Sequence, residues 1–287
     1  MLHTLFLLLL LSTSALAVTD FKIRVITRIQ HEGSASPDFD DERTEYVQGS
    51  NRRSDMRGFV GITPADRNAP KPHMALISHC ETGEGYEVDL DSHEYVESKL
   101  PHYPSKEEYR QRFEEAKKKV AEKPPQPPNL RIESETVDTG ETRTIFGHTA
   151  RHFITTTREI PLNGAEREEQ ERVEDGWYLD MPELPSGCVP EYMLRGHRMV
   201  FTTLLTAGSE NNIRIEAHHT GPAVEGMAVK LTVTTKRKID GKETSSTYER
   251  EVVELSEEPL DPALFEPPPG FKKVSRLYKN LTEHARK

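Results

Sequence analysis

The chain has 287 residues and carries 48 acidic against 38 Lys and Arg side chains, a formal net charge of −10 at pH 7. That balance excludes a nucleic-acid role resting on a basic face, because phosphates demand one, and it excludes electrostatic docking on anionic lipid. At ~150 residues per domain, the length allows one large β domain or two small ones.

The N-terminus sets the compartment. An apolar run from Leu5 to Leu11 is followed by Ser-Thr-Ser and then Ala15-Leu16-Ala17. This is the small-residue pattern that signal peptidase reads, although the leading residues contain His3 and no Lys or Arg. The run is too short to span a bilayer, which needs ~20 apolar residues. Residues 1–17 are therefore expected to be a signal peptide, cleaved before Val18, giving a periplasmic or secreted protein with no stable membrane anchor. In such a compartment the two cysteines, Cys80 and Cys188, are candidates for one disulfide. The alternative is two separate buried thiols. Neither belongs to a C-x-x-C pair, so redox catalysis is not indicated.

Strand signals dominate from there on. Phe21-Lys-Ile23-Arg-Val25 alternates apolar and polar residues, as a half-buried strand does. Tyr46 to Asn51 turns into Arg52 to Arg57, Met74 to Ile77 resumes the pattern, and Tyr86, Val88 and Leu90 share one face before a turn at Asp91-Ser92-His93. A helix over 105–122 follows. Ser105 and Glu108 form a capping box, and Tyr109, Phe113, Ala116 and Val120 make an apolar stripe. The proline-rich segment 123–128 ends it. A stripe of this kind predicts a helix laid on a sheet rather than an exposed connector.

The second β region begins near Thr144. Gly147 between two strand-like stretches suggests a bend or bulge, and Asn163-Gly164 is a hairpin signal. The charged arm Ala165 to Glu174 leaves helix open as an alternative, and Met193 to Leu205 is equally ambiguous; both fall within 165–205. Trp177-Tyr178-Leu179 reads as a core anchor. Asp240-Gly241 marks another hairpin between two alternating arms, and Phe271, Val274, Tyr278 and Leu281 suggest a short terminal helix.

The chemistry-bearing motifs are thin. The chain contains no G-x-S-x-G, S-x-x-K or H-E-x-x-H, and Gly83-Glu-Gly85 lacks the third glycine of a nucleotide cradle. Of twelve histidines, His148 and His152 are separated by ~13 Å if their segment is a strand. His218-His219 alternate across one, and His79 adjoins Cys80. Solvated histidines are the simpler reading, so no metal and no cofactor is expected. Asp38 to Glu42 and Asp89-Leu-Asp91 are acidic but match no calcium loop. Asn280-Leu281-Thr282 is a glycosylation sequon.

Three stretches carry a resemblance: Gly49-Ser-Asn-Arg52-Arg53, Tyr86 to Leu90 leading to Tyr95, and above all Asp261-Pro-Ala-Leu-Phe265-Glu-Pro-Pro-Pro-Gly270-Phe271. Together they resemble uncharacterised exported bacterial proteins with a lipoprotein-localisation-factor-like (LolA/LolB-like) fold. The resemblance implies a mainly β, α+β architecture: a curved antiparallel sheet, or half-barrel, with one or two helices packed on its concave side. Residues 18–275 would form that single domain, with 276–287 as a tail or short helix. It also implies a lipophilic ligand or lipoprotein held between sheet and helix, for which Tyr109, Phe113, Trp177 and Tyr178 are the candidate lining residues. The rival expectation is a non-catalytic module that binds an envelope or secreted protein.

Overall fold

A computed structural model describes residues 20–34, 37, 39–57, 72–101, 103–121, 127–162, 168–181, 188, 214–239 and 241–277. The expected signal peptide, the Asn163-Gly164 turn, Met193 to Leu205 and the sequon lie outside these residues. Strands β1 (Phe21–His31), β2 (Phe39–Gln48), β3 (Asn51–Arg57), β4 (His73–His79), β5 (Glu84–Asp89) and β6 (Glu94–Lys99) run as an antiparallel meander. Helix α1 (Lys106–Ala121) follows, then β7 (Leu130–Ile145), β8 (His148–Pro161), β9 (Gln170–Leu179), β10 (Ile215–Thr220), β11 (Met227–Ile239), β12 (Lys242–Ser256) and the two-residue β13 (Lys272–Lys273).

All thirteen described strands join one open, curved sheet in the order β10-β7-β8-β9-β11-β12-β1-β2-β3-β4-β5-β6-β13. The seam between the two halves is β12 on β1, which brings Lys22 opposite Ser256. Among the described strands only the outermost pairs, β10 on β7 and β13 on β6, are parallel. The alternating segments read from the sequence become strands because each has a half-buried face to fill. Gln170–Leu179 is strand rather than helix: its charges find partners in the sheet, with Glu171 accepting from Arg158 at 3.0 Å.

Two local expectations are corrected. Gly147 is no bulge. Ile145 pairs directly with His148, and the connecting Phe146 and Gly147 both hold positive φ, +51° and +82°. Those are the angles of a two-residue hairpin turn whose twist matches the strands. The bulge lies earlier in β7, between Asp138 and Thr142. Nor do residues 271–277 form a helix, and Tyr278 and Leu281 of the expected terminal helix lie outside the described residues. The Lys272 and Val274 amides donate to the His93 and Tyr95 carbonyls at 2.9 Å, so the edge of β6 captures them as strand. Phe271 then packs on one side of the sheet, while Val274 and Leu277 pack on Met56 and Met74.

Before that edge the chain makes a 3-10 turn, Pro262–Phe265, capped by Asp261, whose carboxylate accepts from the Ala263 amide at 2.9 Å. Phe265 is 1% exposed and is buried against Ala75, Ile77 and Val88, with Tyr46, Tyr86 and Tyr95 around it. Arg53 fixes the turn in place. It donates to the Leu264 carbonyl at 2.9 Å while its Nε meets Asp55 at 2.7 Å. Gln48 likewise holds the Leu260 carbonyl at 2.9 Å. The three stretches that carry the resemblance thus meet in one cluster.

Candidate functional site

Register identifies the faces of the sheet. Thr136, Thr155, Glu174, Val233, Tyr248, Ile29 and Phe39 stand directly opposite one another across β7, β8, β9, β11, β12, β1 and β2. Directly paired residues share a face, so this is one continuous row. Thr136 and Val233 in it are 4% and 6% exposed. The next residue on each strand gives the opposite row, Val137, Ile154, Asp175, Thr232, Glu249, Arg28 and Asp40. There Val137 is 48% exposed, and Asp175, Glu249, Arg28 and Asp40 are exposed as well. The row with Val233 and Tyr248 is the more buried of these two, and its side of the sheet is called the inner face below.

That face carries hydroxyls at one end, the ion pair of Arg172 and Glu174 at 2.7 Å in the middle, and apolar groups at the other end. At one end Thr136 and Thr155 share a hydrogen bond of 3.0 Å, and Ser134 and Thr157 one of 3.1 Å. At the other, Ile29 and Tyr248 are half-buried and Phe39 is 43% exposed. Sequence reading passed over Phe39 because it sits within an acidic stretch. In the structure that stretch is strand β2, whose carboxylates pair with β1, Glu42 with Arg24 at 2.9 Å and Asp40 with Arg28 at 3.5 Å.

The four expected lining residues are divided. Tyr178 packs with Phe153, Ala228 and Leu231, its ring edge-to-face with Phe153 at 5.9 Å. It folds over Gly176, where an added Cβ would lie 2.6 Å from the ring. Phe153, Gly176 and Leu231 are in register on the inner face. Trp177, the next residue along the strand, projects the other way. Its indole stacks on His152 at 4.7 Å, with the Arg143 guanidinium 4.1 Å from its centroid, and beside the β11 bulge between Ala228 and Lys230 it joins a second cluster with Leu179, Met227, Val229, Ile23, Val25 and Val252. Tyr109 and Phe113 lie on α1. The capping box forms as read, with the Glu108 amide donating to Ser105 at 3.2 Å and the Ser105 amide to Glu108 at 2.7 Å. Among the described side chains of α1, packing on the sheet is not observed: Tyr109 is half-buried and Phe113 is 50% exposed.

His79, His148, His152 and His218 have separate acidic neighbours. His148 lies 3.6 Å from Glu257, His218 2.9 Å from Glu216, and His79 2.9 Å from Asn51 and 4.0 Å from Glu266. His152 stands between the Thr139 hydroxyl, at 3.1 Å, and Asp175, at 2.8 Å. This alignment resembles a relay, yet the hydroxyl also donates to the His152 carbonyl and accepts from the Glu141 amide, which ties down the β7 bulge. Among the described residues no three acidic, His or Cys side chains gather as a metal cage.

Two hollows, of about 110 and 240 Å³, adjoin Ile26 and Arg28. Their other walls include Lys230, Glu249 and Glu251 in one and Asp40, Glu42 and Arg57 in the other, so both are charged. Burial raises the Glu45 carboxyl above its usual range, partly offset by the Ser54 hydroxyl that donates to it at 2.9 Å. Beside the first half of the sheet, Cys80 and Cys188 form a disulfide, Cα atoms 5.2 Å apart.

No protein-family model matches the chain, and no curated protein does. Two solved complexes are similar to it, a crystal structure of MucB with MucA(peri) and the complex structure of Pseudomonas aeruginosa MucA/MucB. Each is 10% identical and covers 85% of this chain and 95% of its own, with TM-scores of 0.11 and 0.10. A superposition that loose lends no argument about fold or function.

Proposed function

We propose that the protein is a non-catalytic interaction module of an oxidising, extracytoplasmic space, and that α1 and the inner sheet face form its docking site for another protein. The observation that carries this reading is the exposed apolar surface on both elements: Phe113 on the helix, and Phe39 with its half-buried neighbours Ile29 and Tyr248 on the sheet. The compartment is supported by the Cys80–Cys188 disulfide and by the expected signal peptide. With a net charge of −10, the surface favours a basic envelope or secreted protein.

Connectivity supports α1 as the strap over the concave side. It links the end of β6 to the start of β7, ten positions away in the sheet and at the opposite end of the strands. Ten strand spacings amount to roughly 48 Å when flat. The helix supplies ~24 Å, and the fourteen other residues of 100–129 at most ~50 Å. A chain of that reach crosses most economically along the chord of the bowed sheet, which is its concave side.

A second reading, a lipophilic ligand in the same space, is favoured by Tyr178, Phe153 and Leu231 on the inner face. Tyr109, Phe113 and Tyr178 would line that chamber, with Trp177 turned away. One experiment separates the two. A photo-crosslinking residue replaces Phe113 and is irradiated in native envelope or secreted extract, while the purified protein is extracted for lipid. A cross-linked protein lost on Tyr248→Ala, with no lipid recovered, is expected. Stoichiometric lipid would favour the carrier, and neither lipid nor cross-link would end both readings.

A further inference from the structure

The two edges of the sheet are built differently. At one, β13 is two residues long, both lysine, and follows Pro267 to Pro269, Gly270 and Phe271. Short length, lysine and proline are how natural sheets prevent edge-to-edge pairing. At the other, β10 runs Ile215-Glu-Ala-His-His-Thr220 with no Lys, Arg or Pro. Its residues 217–220 are exposed, and no described strand lies beyond it.

We infer that β10 is a self-association edge, and that its partner is a second copy of this chain paired antiparallel, β10 to β10. The charge pattern selects both the partner and the register. A two-fold axis perpendicular to the sheets keeps each face continuous, so a residue meets only residues from its own side. Glu216 and His218 share one side and already lie 2.9 Å apart. An axis through Ala217 sets Glu216 opposite the partner's His218, and His218 opposite the partner's Glu216. The smallest side chain of the strand then sits on the axis. Moving the axis one residue either way sets Glu216 against its own copy, or His218 against its own. An imidazole N–H can serve a carboxylate whether the ring is neutral or charged, and opposite-charge pairs across strands favour the ladder where like charges oppose it. Glu216 enters the pairing as an anion, because hydrogen bonds from His218 and then Arg131 hold its carboxyl below the usual range.

Sedimentation of the full chain over a wide concentration range tests this. The expected result is a reversible, concentration-dependent dimer. His218→Glu weakens it about tenfold, by exchanging two attractive pairs for two repulsive ones, and Glu216→Lys combined with His218→Glu restores it. A protein monomeric throughout, or a dimer indifferent to His218→Glu, overturns the proposal. Because Glu216→Lys also loses the contact with Arg131, 3.3 Å in the native chain, hydrogen exchange on the unmodified protein provides a second test. Amides of 215–220 should gain protection as concentration rises, and no change there would equally overturn it. Neither measurement depends on α1 or the inner face.

Discussion

Phe265 and Phe113 offer the sharpest comparison. Both are apolar residues of comparable prominence in the sequence, one in the closing motif and one on the helical stripe. The fold gives them opposite surroundings: Phe265 is 1% exposed, sealed against Ala75, Ile77 and Val88, whereas Phe113 is 50% exposed. Phe265→Ala removes a fully buried ring and leaves a hollow under a turn held by Arg53 and Gln48. Such truncations cost ~3–5 kcal/mol. Phe113→Ala removes a ring already half in water and should cost about 0.5 kcal/mol or less. With a urea slope of ~2–3 kcal/mol per molar for a chain this long, the first substitution moves the midpoint down by ~1–2 M and the second by a few tenths. Equilibrium urea unfolding followed by circular dichroism reads both. Equal shifts would refute the reasoning, since they would mean that Phe265 is not sealed or that α1 is packed. A collapse of the slope in Phe265→Ala would instead show that the closing motif unfolds separately.

Other predictions probe separate parts of the chain. The disulfide closes 108 residues of sequence, so Cys80→Ser with Cys188→Ser should lose about 4–5 kcal/mol in the chain-entropy account; unfolding midpoints that match with and without reductant would deny it. Glu45 has its folded pKa raised above the ordinary value of 4.5, chiefly by burial. Its ionisation therefore opposes folding, and the penalty grows as pH rises through 4.5 and levels off above the folded value. Glu45→Gln should raise the melting temperature at neutral pH and leave it unchanged well below 4.5; an effect of equal size at both would sink the assignment. Phe146 holds φ at +51° in a turn where its ring is 38% exposed. Phe146→Asn, which suits that conformation, should add ~0.5–1 kcal/mol by thermal melting, and a loss would show that the ring contributes more than its strain costs.

Much of the local structure was legible before any coordinates. Alternation gave β1, β4 and β5, the Asp240-Gly241 pair placed the β11–β12 hairpin, and Ser105 with Glu108 placed the start of α1. These signals are local: a strand's period, a turn's need for positive φ and a helix's free amides are settled by residues a few positions apart. The Cys80–Cys188 pair was readable for a different reason, since two cysteines admit only one intramolecular bond. Gly147 and the 271–277 segment were misread because their outcome depends on a partner. The strand beside Gly147 had to be in register for a hairpin, and 271–277 had to meet the free edge of β6.

The candidate site was scarcely legible. Tyr178 and Trp177 are equally apolar neighbours, and only pairing with β8 and β11 sends one to the inner face and the other beneath Arg143. The row from Thr136 to Phe39 is assembled from seven strands, and its steps from Glu174 to Val233 and from Tyr248 to Ile29 join residues far apart in sequence. By itself, then, the sequence determined periods, turns, charge and the cysteine pair. The tertiary structure decided which strands neighbour which, with β12 against β1 and β10 at the far edge. Strand order is chosen by long-range pairing, in which every residue competes for backbone partners across the whole chain, and that competition leaves no mark within a window of ten residues.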